Sequence, residues 1–304
     1  MNEMKQVTEN EDWDDNLPMP VTVNKEKDTE REVWEFMDPL AWHNSISDNK
    51  SIFHETYNAT RRQVINTATK GNYDAIIEVG CGTGDIIGQM STVIPRYGLD
   101  INDAFIKFCR KQHTDSSMNF CVVDALHLVE WWKSQGLDTK FHRPLIICTN
   151  NTISIMPENI RGVVFDQMLA LAGNDGICMI SYWNGDYFSY AVMECYKKNP
   201  FLCGEFDIRK HVDWESRKLV TPNDYSTEWP LLKNIHQPLK IMGIDVPNVE
   251  KEPRHCAPHI HCQGLGIFVW FDQSSSYKPK ICYEAVTENR NTSFFPALAG
   301  IMKQ

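Results

Sequence analysis

The chain has no excess of positive charge. Its 304 residues include 30 Lys and Arg against 40 Asp and Glu, for a formal charge of −10. Polynucleotide binding depends on cationic patches that displace counterions. The densest basic stretch, Lys107 to Lys111, reads as a solvated helix face, so no nucleic-acid partner is expected. Long apolar runs are missing too: none approaches the ~18 residues of a membrane span. The first 16 residues are acidic and polar and carry no signal-peptide core. The ten cysteines build no small disulfide framework. Cys121, Cys148 and Cys178 fall inside apolar runs, where free thiols pack as small hydrophobes. A reducing compartment, the cytoplasm, is therefore expected. Internal repeats are absent.

One feature dominates what is present. Residues 74–84 read Asp-Ala-Ile-Ile-Glu-Val-Gly-Cys-Gly-Thr-Gly. The apolar run Ala75, Ile76, Ile77, Val79 predicts a buried strand. It breaks into Gly80, Gly82 and Gly84, which permit a tight turn and close approach of a ligand to the backbone. Strand and loop together describe the nucleotide-binding start of an α/β sheet. A dinucleotide fingerprint would place its third glycine at position 85, which is Asp85. No Gly-Lys-Ser/Thr follows, so the P-loop reading fails. Asp85 is expected to open the next helix, where a carboxylate opposes bound phosphate. A ligand without phosphates fits better.

The segment Glu78-Val79-Gly80-Cys81-Gly82-Thr83-Gly84 resembles the first motif of the class I S-adenosylmethionine-dependent methyltransferases. Arg96-Tyr97-Gly98-Leu99-Asp100-Ile101-Asn102 is similar to that family's second strand, which ends in an acid for both ribose hydroxyls. A carboxylate can accept from two adjacent hydroxyls. Asn119 to Leu126 resembles the third strand, and the resemblance gives Asp124 the adenine amino group. Pro144 to Met156 and Gly176 to Trp183 resemble strands four and five. The resemblance implies S-adenosyl-L-methionine as cofactor. It implies Glu78, Gly80, Cys81, Gly82, Thr83, Gly84, Asp100, Ile101, Asp124, Ala125 and Asn150 as the residues that bind it.

The implied fold is α/β: a doubly wound, mostly parallel seven-stranded sheet with helices on both faces. An N-terminal helical lid and an insertion after strand five complete it. Residues 1–33 are expected to form an acidic, flexible arm. Residues 34–272 are expected to form the methyltransferase domain: lid helices at 34–70, donor-binding core at 71–185, insertion and antiparallel end at 186–272. Candidate strands six and seven are Ile241 to Val246 and Gly264 to Phe271, and residues 273–304 extend the chain beyond the domain.

Methyl transfer from a sulfonium is a direct displacement, so the protein mainly holds the reactants in line. His54 on the lid is a candidate base. Asn150 and Trp183, after strands four and five, are the other candidate catalytic residues. Tyr57, Asn151, Tyr182, Trp183 and His261 are candidate acceptor contacts. Asn150-Asn151-Thr152-Ile153 lacks the prolines and aromatic of the amino-group methylating tetrad, which argues against nucleobase or glutamine acceptors. Arg254 to Cys262 concentrates His255, His259, His261, Cys256 and Cys262, but the spacing matches no zinc finger, and no metal is expected. The leading expectation is methyl transfer to a small-molecule amine, thioether, hydroxyl or carboxylate. A protein or peptide side-chain methyltransferase is the alternative, and a donor-binding protein without turnover is the third reading. Oligomeric state is not readable.

Overall fold

The computed structural model describes residues 37–47, 52–90, 92–223, 225–230, 257–263, 266–272 and 281–282. The first two elements are helices, α1 (Pro39–Ser47) and α2 (Ile52–Gly71). Helix α2 turns Val64 and Ala68 inward at helical spacing and leaves Arg62 and Lys70 in solvent.

Five parallel strands follow: β1 (Ala75–Val79), β2 (Arg96–Asp100), β3 (Met118–Val122), β4 (Pro144–Cys148) and β5 (Ile177–Trp183). All residues of β1 and β4 are buried, as strands covered on both faces must be. Consecutive side chains serve opposite layers: Ile76, Leu145 and Ile147 pack in one, Ile77, Ile146 and Cys148 in the other. Helix α3 (Asp103–Gln112) is capped by Asn102, whose side chain accepts from Ala104 N at 2.8 Å and Phe105 N at 3.2 Å. Further on come α4 (Leu128–Ser134), the short α5 (Thr152–Ile155) and α6 (Glu158–Ala172).

After β5 comes an insertion of short helical turns. It ends in a three-stranded antiparallel sheet of β6 (Val212–Asp213), β7 (Lys218–Val220) and β8 (Ser226–Glu228). The chain then returns to the main sheet as β9 (Ala257–Gln263) and β10 (Gly266–Asp272), with β11 (Ile281–Cys282) at the edge. The strand order is β11-β9-β10-β5-β4-β1-β2-β3, with β10 antiparallel to both β5 and β9. The doubly wound parallel sheet with an antiparallel end is as expected. The described residues give it eight strands rather than seven. The His/Cys cluster is itself part of a strand, since β9 covers it from Ala257 onward and pairs His261 with Phe268. The candidate strand at 241–246 and the 1–33 arm lie outside the described residues.

One expected helix is missing. Between β1 and β2, where Asp85 was expected to open a crossover helix, only a 3-10 turn forms, Ile87–Gln89. Gly88, the β-branched Thr92, Val93 and Ile94, and Pro95 leave no good helical segment. The carbonyls that helix would have satisfied are met by the fully buried Arg96. Its guanidinium donates to Ile87 O at 3.0 Å, Met90 O at 2.5 Å, Asp115 Oδ2 at 2.5 Å and Ser117 Oγ at 2.7 Å.

Candidate donor site and acceptor cleft

Chain order reverses between β1 and β4, with β2 on one side and β4 on the other. Ligands of open α/β sheets bind at such a switch point, beyond the carboxyl ends of the strands. A cavity enclosing roughly 1100 Å³, open mouth included, lies there. It is at the upper end of the range for small-molecule sites.

The glycine loop forms its floor. Gly80 and Gly82 take φ of +69° and +52°, in the region that L side chains rarely adopt. A Cβ at Gly80 would come within 2.4 Å of Thr152 Cγ2. A Cβ at Gly82 would lie 3.3 Å from Trp42 Nε1, so α1 lays its tryptophan directly over the loop. Gly82 N donates to Asp100 Oδ2 at 2.8 Å, and Asn102 N donates to Oδ1 at 2.9 Å. These bonds fix the Asp100 carboxylate at the end of β2 and leave lone pairs on both oxygens. Burial pushes its carboxyl up to about 6, against the pull of those N–H groups. Asp124 accepts from Leu126 N at 3.0 Å and lines the cavity beside Val123, Ala125 and Leu128. Ile155, Met156, Ile160 and Val164 complete an apolar wall on this side.

Glu78, at the end of β1, accepts from Thr149 Oγ1 at 2.9 Å and Ile87 N at 3.4 Å. Burial pushes its carboxyl up to about 8. A carboxyl whose folded value is raised stabilises the protein below its ordinary value of 4.5, and that contribution is lost as pH climbs through about 8. The free protein should therefore lose on the order of a few kcal/mol of stability from this group across that window. In Glu78→Gln that part of the pH dependence should vanish. Urea melts of both proteins from about pH 5 to pH 8 check it: parallel stability curves would show that Glu78 does not titrate as its burial dictates.

The lid contributes Tyr57, which is buried, hydrogen-bonded to Asn150 and raised well above the ordinary phenol value by burial first and by the charges of Asp85 and Glu78 next. Thr60 Oγ1 also donates to Asn150 Oδ1, at 2.8 Å. Asn150 thus ties α2 to the end of β4.

Of the residues read from the sequence, Glu78, Gly80, Cys81, Gly82, Asp100, Ile101, Asp124, Ala125, Asn150 and Tyr57 come together around the cavity. Thr83 and Gly84 lie behind the loop: Thr83 is buried, and a Cβ on Gly84 would meet Cys109 and His113 at 3.1 Å. His54 sits on α2, half-buried and away from the cavity lining. Three acceptor candidates point elsewhere. Tyr182 is fully buried in the layer of Ile77 and Ile146. Trp183 packs edge-on against Trp229 at 5.0 Å, in the opposite layer. Asn151 donates to Thr227 Oγ1 at 3.0 Å and Glu228 O at 3.3 Å, and its Oδ1 accepts from Trp183 N at 3.3 Å. It fastens the small sheet to the main one. The side chain of His261 is outside the described residues. Among the described residues, no group of three or more His, Cys, Asp or Glu is placed to hold a metal ion.

The sequence reading passed over Trp42, Thr149 and Asp85 as lining residues. Met156, Ile160 and Val164, four apart, carried a helical signal for the apolar wall. Asp85 was marked only as the acid after the glycine motif, and nothing local placed it or Trp42 in the cavity.

The methyltransferase-domain family matches residues 71–227, over half of the chain. The chain belongs to that family and is an S-adenosylmethionine-dependent methyltransferase of class I. No curated protein matches its sequence. Among solved structures, the plantazolicin methyltransferase BamL, crystallised with a desmethylPZN analogue and S-adenosylhomocysteine, aligns over 81% of this chain and 97% of its own. Its identity is 9% and its TM-score 0.53. The N-methyltransferase NodS of Bradyrhizobium japonicum WM9 aligns over 81% and 99%, at 12% identity and a TM-score of 0.44. The magnesium protoporphyrin IX methyltransferase ChlM of Synechocystis PCC 6803 aligns over 81% and 100%, at 11% and 0.45. At these identities the likeness is one of fold.

The cavity suits S-adenosylmethionine on its own chemistry. It offers a fixed carboxylate with free lone pairs, a second one beside an apolar slot, and a glycine loop with no Cβ in the way. Its described lining holds no Lys or Arg to repel a sulfonium. No helix among the described residues is long and apolar enough to cross a membrane.

Proposed function

We propose that this methyltransferase acts on a small molecule, held between the glycine loop and the lid helices α1 and α2. The observation that carries this reading is the roof. Trp42 lies over Gly82, and Tyr57 reaches down to Asn150, so the space beside the donor loop is walled rather than open like a peptide groove. In this reading Asp100 holds the ribose, Asp124 the adenine amino group, and Ile155, Met156 and Ile160 the purine face. S-adenosylmethionine supplies an already activated methyl group, so the residues of the chain need only orient the acceptor and exclude water. The seven described cysteines, none of them in a disulfide, support a reducing compartment such as the cytoplasm.

The test is to incubate the protein with methyl-labelled S-adenosylmethionine and two fractions of one cell extract, small molecules and macromolecules. Label should enter the small-molecule fraction. Label confined to precipitable protein would replace this reading with side-chain methylation of proteins.

A further inference from the structure

The ionisable residues lining the cavity are acidic, phenolic or thiol: Glu78, Asp85, Asp100, Asp124, Tyr57 and Cys81. Three of the four carboxylates are engaged by nearby backbone N–H groups. Glu78 accepts from Ile87, Asp100 from Gly82 and Asn102, and Asp124 from Leu126. Asp85 differs. It is 6% exposed and its partners are all side chains: the Thr83 hydroxyl, Gln89 Nε2 at 3.4 Å and His43 Nδ1 at 3.1 Å. Arg61 feels its charge, but that guanidinium bonds the Gln89 and Asn58 side chains rather than the carboxylate. A buried carboxylate that no Lys or Arg bonds directly is costly, because the low dielectric that strengthens its hydrogen bonds also magnifies a charge matched only at a distance. The fold holds Asp85 there nonetheless, facing the same space as Trp42 and Tyr57.

Resting on the donor and small-molecule reading above, we propose that Asp85 holds the methyl acceptor and that the acceptor is an amine, received as its ammonium form. A carboxylate–ammonium hydrogen bond is among the strong ones. Trp42 and Tyr57 line the same space, and aromatic rings there suit a cation further. A hydroxyl or thiol can give the carboxylate one hydrogen bond but brings no charge to match it, and a carboxylate acceptor would be repelled. In the reaction the ammonium gives its proton to the Asp85 carboxylate. The freed lone pair on nitrogen forms the N–C bond while the methyl C–S bond breaks. That bonding pair goes to sulfur and cancels its positive charge, the product nitrogen carries the positive charge as an N-methylammonium, and Asp85 gives its proton to solvent as the site reopens. His43, one-third exposed and set 5.3 Å from the Phe108 ring, holds the far side of the carboxylate as a positioning residue.

The experiment has two arms. Calorimetry with S-adenosylhomocysteine reads the donor site in the wild type and in Asp85→Asn. A panel of alkyl and aralkyl amines, phenols, thiols and carboxylic acids reads the acceptor site. The wild type should methylate amines alone. Asp85→Asn should keep S-adenosylhomocysteine affinity within about 3-fold while kcat/KM for the amine falls by about 100-fold, the scale of a truncated buried charge pair. His43→Asn, which keeps a donor toward Asp85, should retain amine kcat/KM that His43→Ala loses, with KM moved more than kcat. Transfer only to hydroxyls, thiols or carboxylates, or to nothing in the panel, overturns the proposal without any variant. So does a 10-fold or greater loss of S-adenosylhomocysteine affinity in Asp85→Asn, which would assign the carboxylate to the donor. Failure of the wild type to bind S-adenosylhomocysteine is a different result: it removes the donor reading itself, and this inference with it.

Discussion

Asp100→Ala is expected to weaken S-adenosylhomocysteine binding by about 100-fold or more. The carboxylate already accepts one N–H on each oxygen, from Gly82 and Asn102, and so cannot rotate away from its position at the end of β2. A vicinal diol meeting those oxygens makes two charge-assisted bonds, each worth about 1.5–3 kcal/mol. Losing both costs about 3 kcal/mol or more, since 1.4 kcal/mol is tenfold in affinity. The pH dependence follows from the same group. Burial holds the Asp100 carboxyl at about 6, so the accepting form is lost as pH falls through that value and affinity should fall with it. Calorimetric titrations on either side of about pH 6 check the sign. Gly82→Val should reach a similar loss by another route. A β-branched residue at φ +52° is a backbone outlier, and its Cβ would press on Trp42. Asp100→Ala binding as well as the wild type would remove Asp100 from the proposed ribose site.

The sheet and the glycine loop were legible for a local reason. Strands buried on both faces, such as β1 and β4, must be apolar throughout, and a backbone that turns at positive φ calls for glycine. Both demands are written into adjacent residues. Acids at strand ends, Asp100 and Asp124, were legible on the same terms. The acceptor side was not. Tyr182 and Trp183 end a strand buried on both faces, so alternation puts them in opposite layers but could not say that both are packed there rather than lining the cavity. Asn150 and Asn151 signalled a turn, and both do take positive φ. Their side-chain partners, however, lie 90 residues upstream at Thr60 and 76 downstream at Thr227. The small sheet stayed hidden because β6 to β8 are only two or three residues long, too short for any period to register.

The missing crossover helix leaves the segment after the glycine loop dependent on Arg96. Arg96 reads in the sequence as the first residue of the second strand, yet it is fully buried and bonds back to the segment after the glycine loop. Arg96→Met keeps the stem and removes the guanidinium. It strips the guanidinium partner from Met90 O and one of two partners from Ile87 O, which keeps the Met90 N–H at 3.3 Å. Each buried carbonyl left without a partner costs about 1–3 kcal/mol. Asp115, half-exposed, returns to solvent at little cost. A total near 2 kcal/mol should lower Tm by about 4–8 °C in a protein of this size. Arg96→Lys should fall between, since an ammonium cannot span both carbonyls and Asp115 as the planar fork does. The segment Arg96 supports runs on directly from Gly84, so S-adenosylhomocysteine affinity should drop in step with stability. A melt of Arg96→Met within 1 °C of the wild type would show that water, not Arg96, satisfies those carbonyls, and would free the loop after β1 from any dependence on β2.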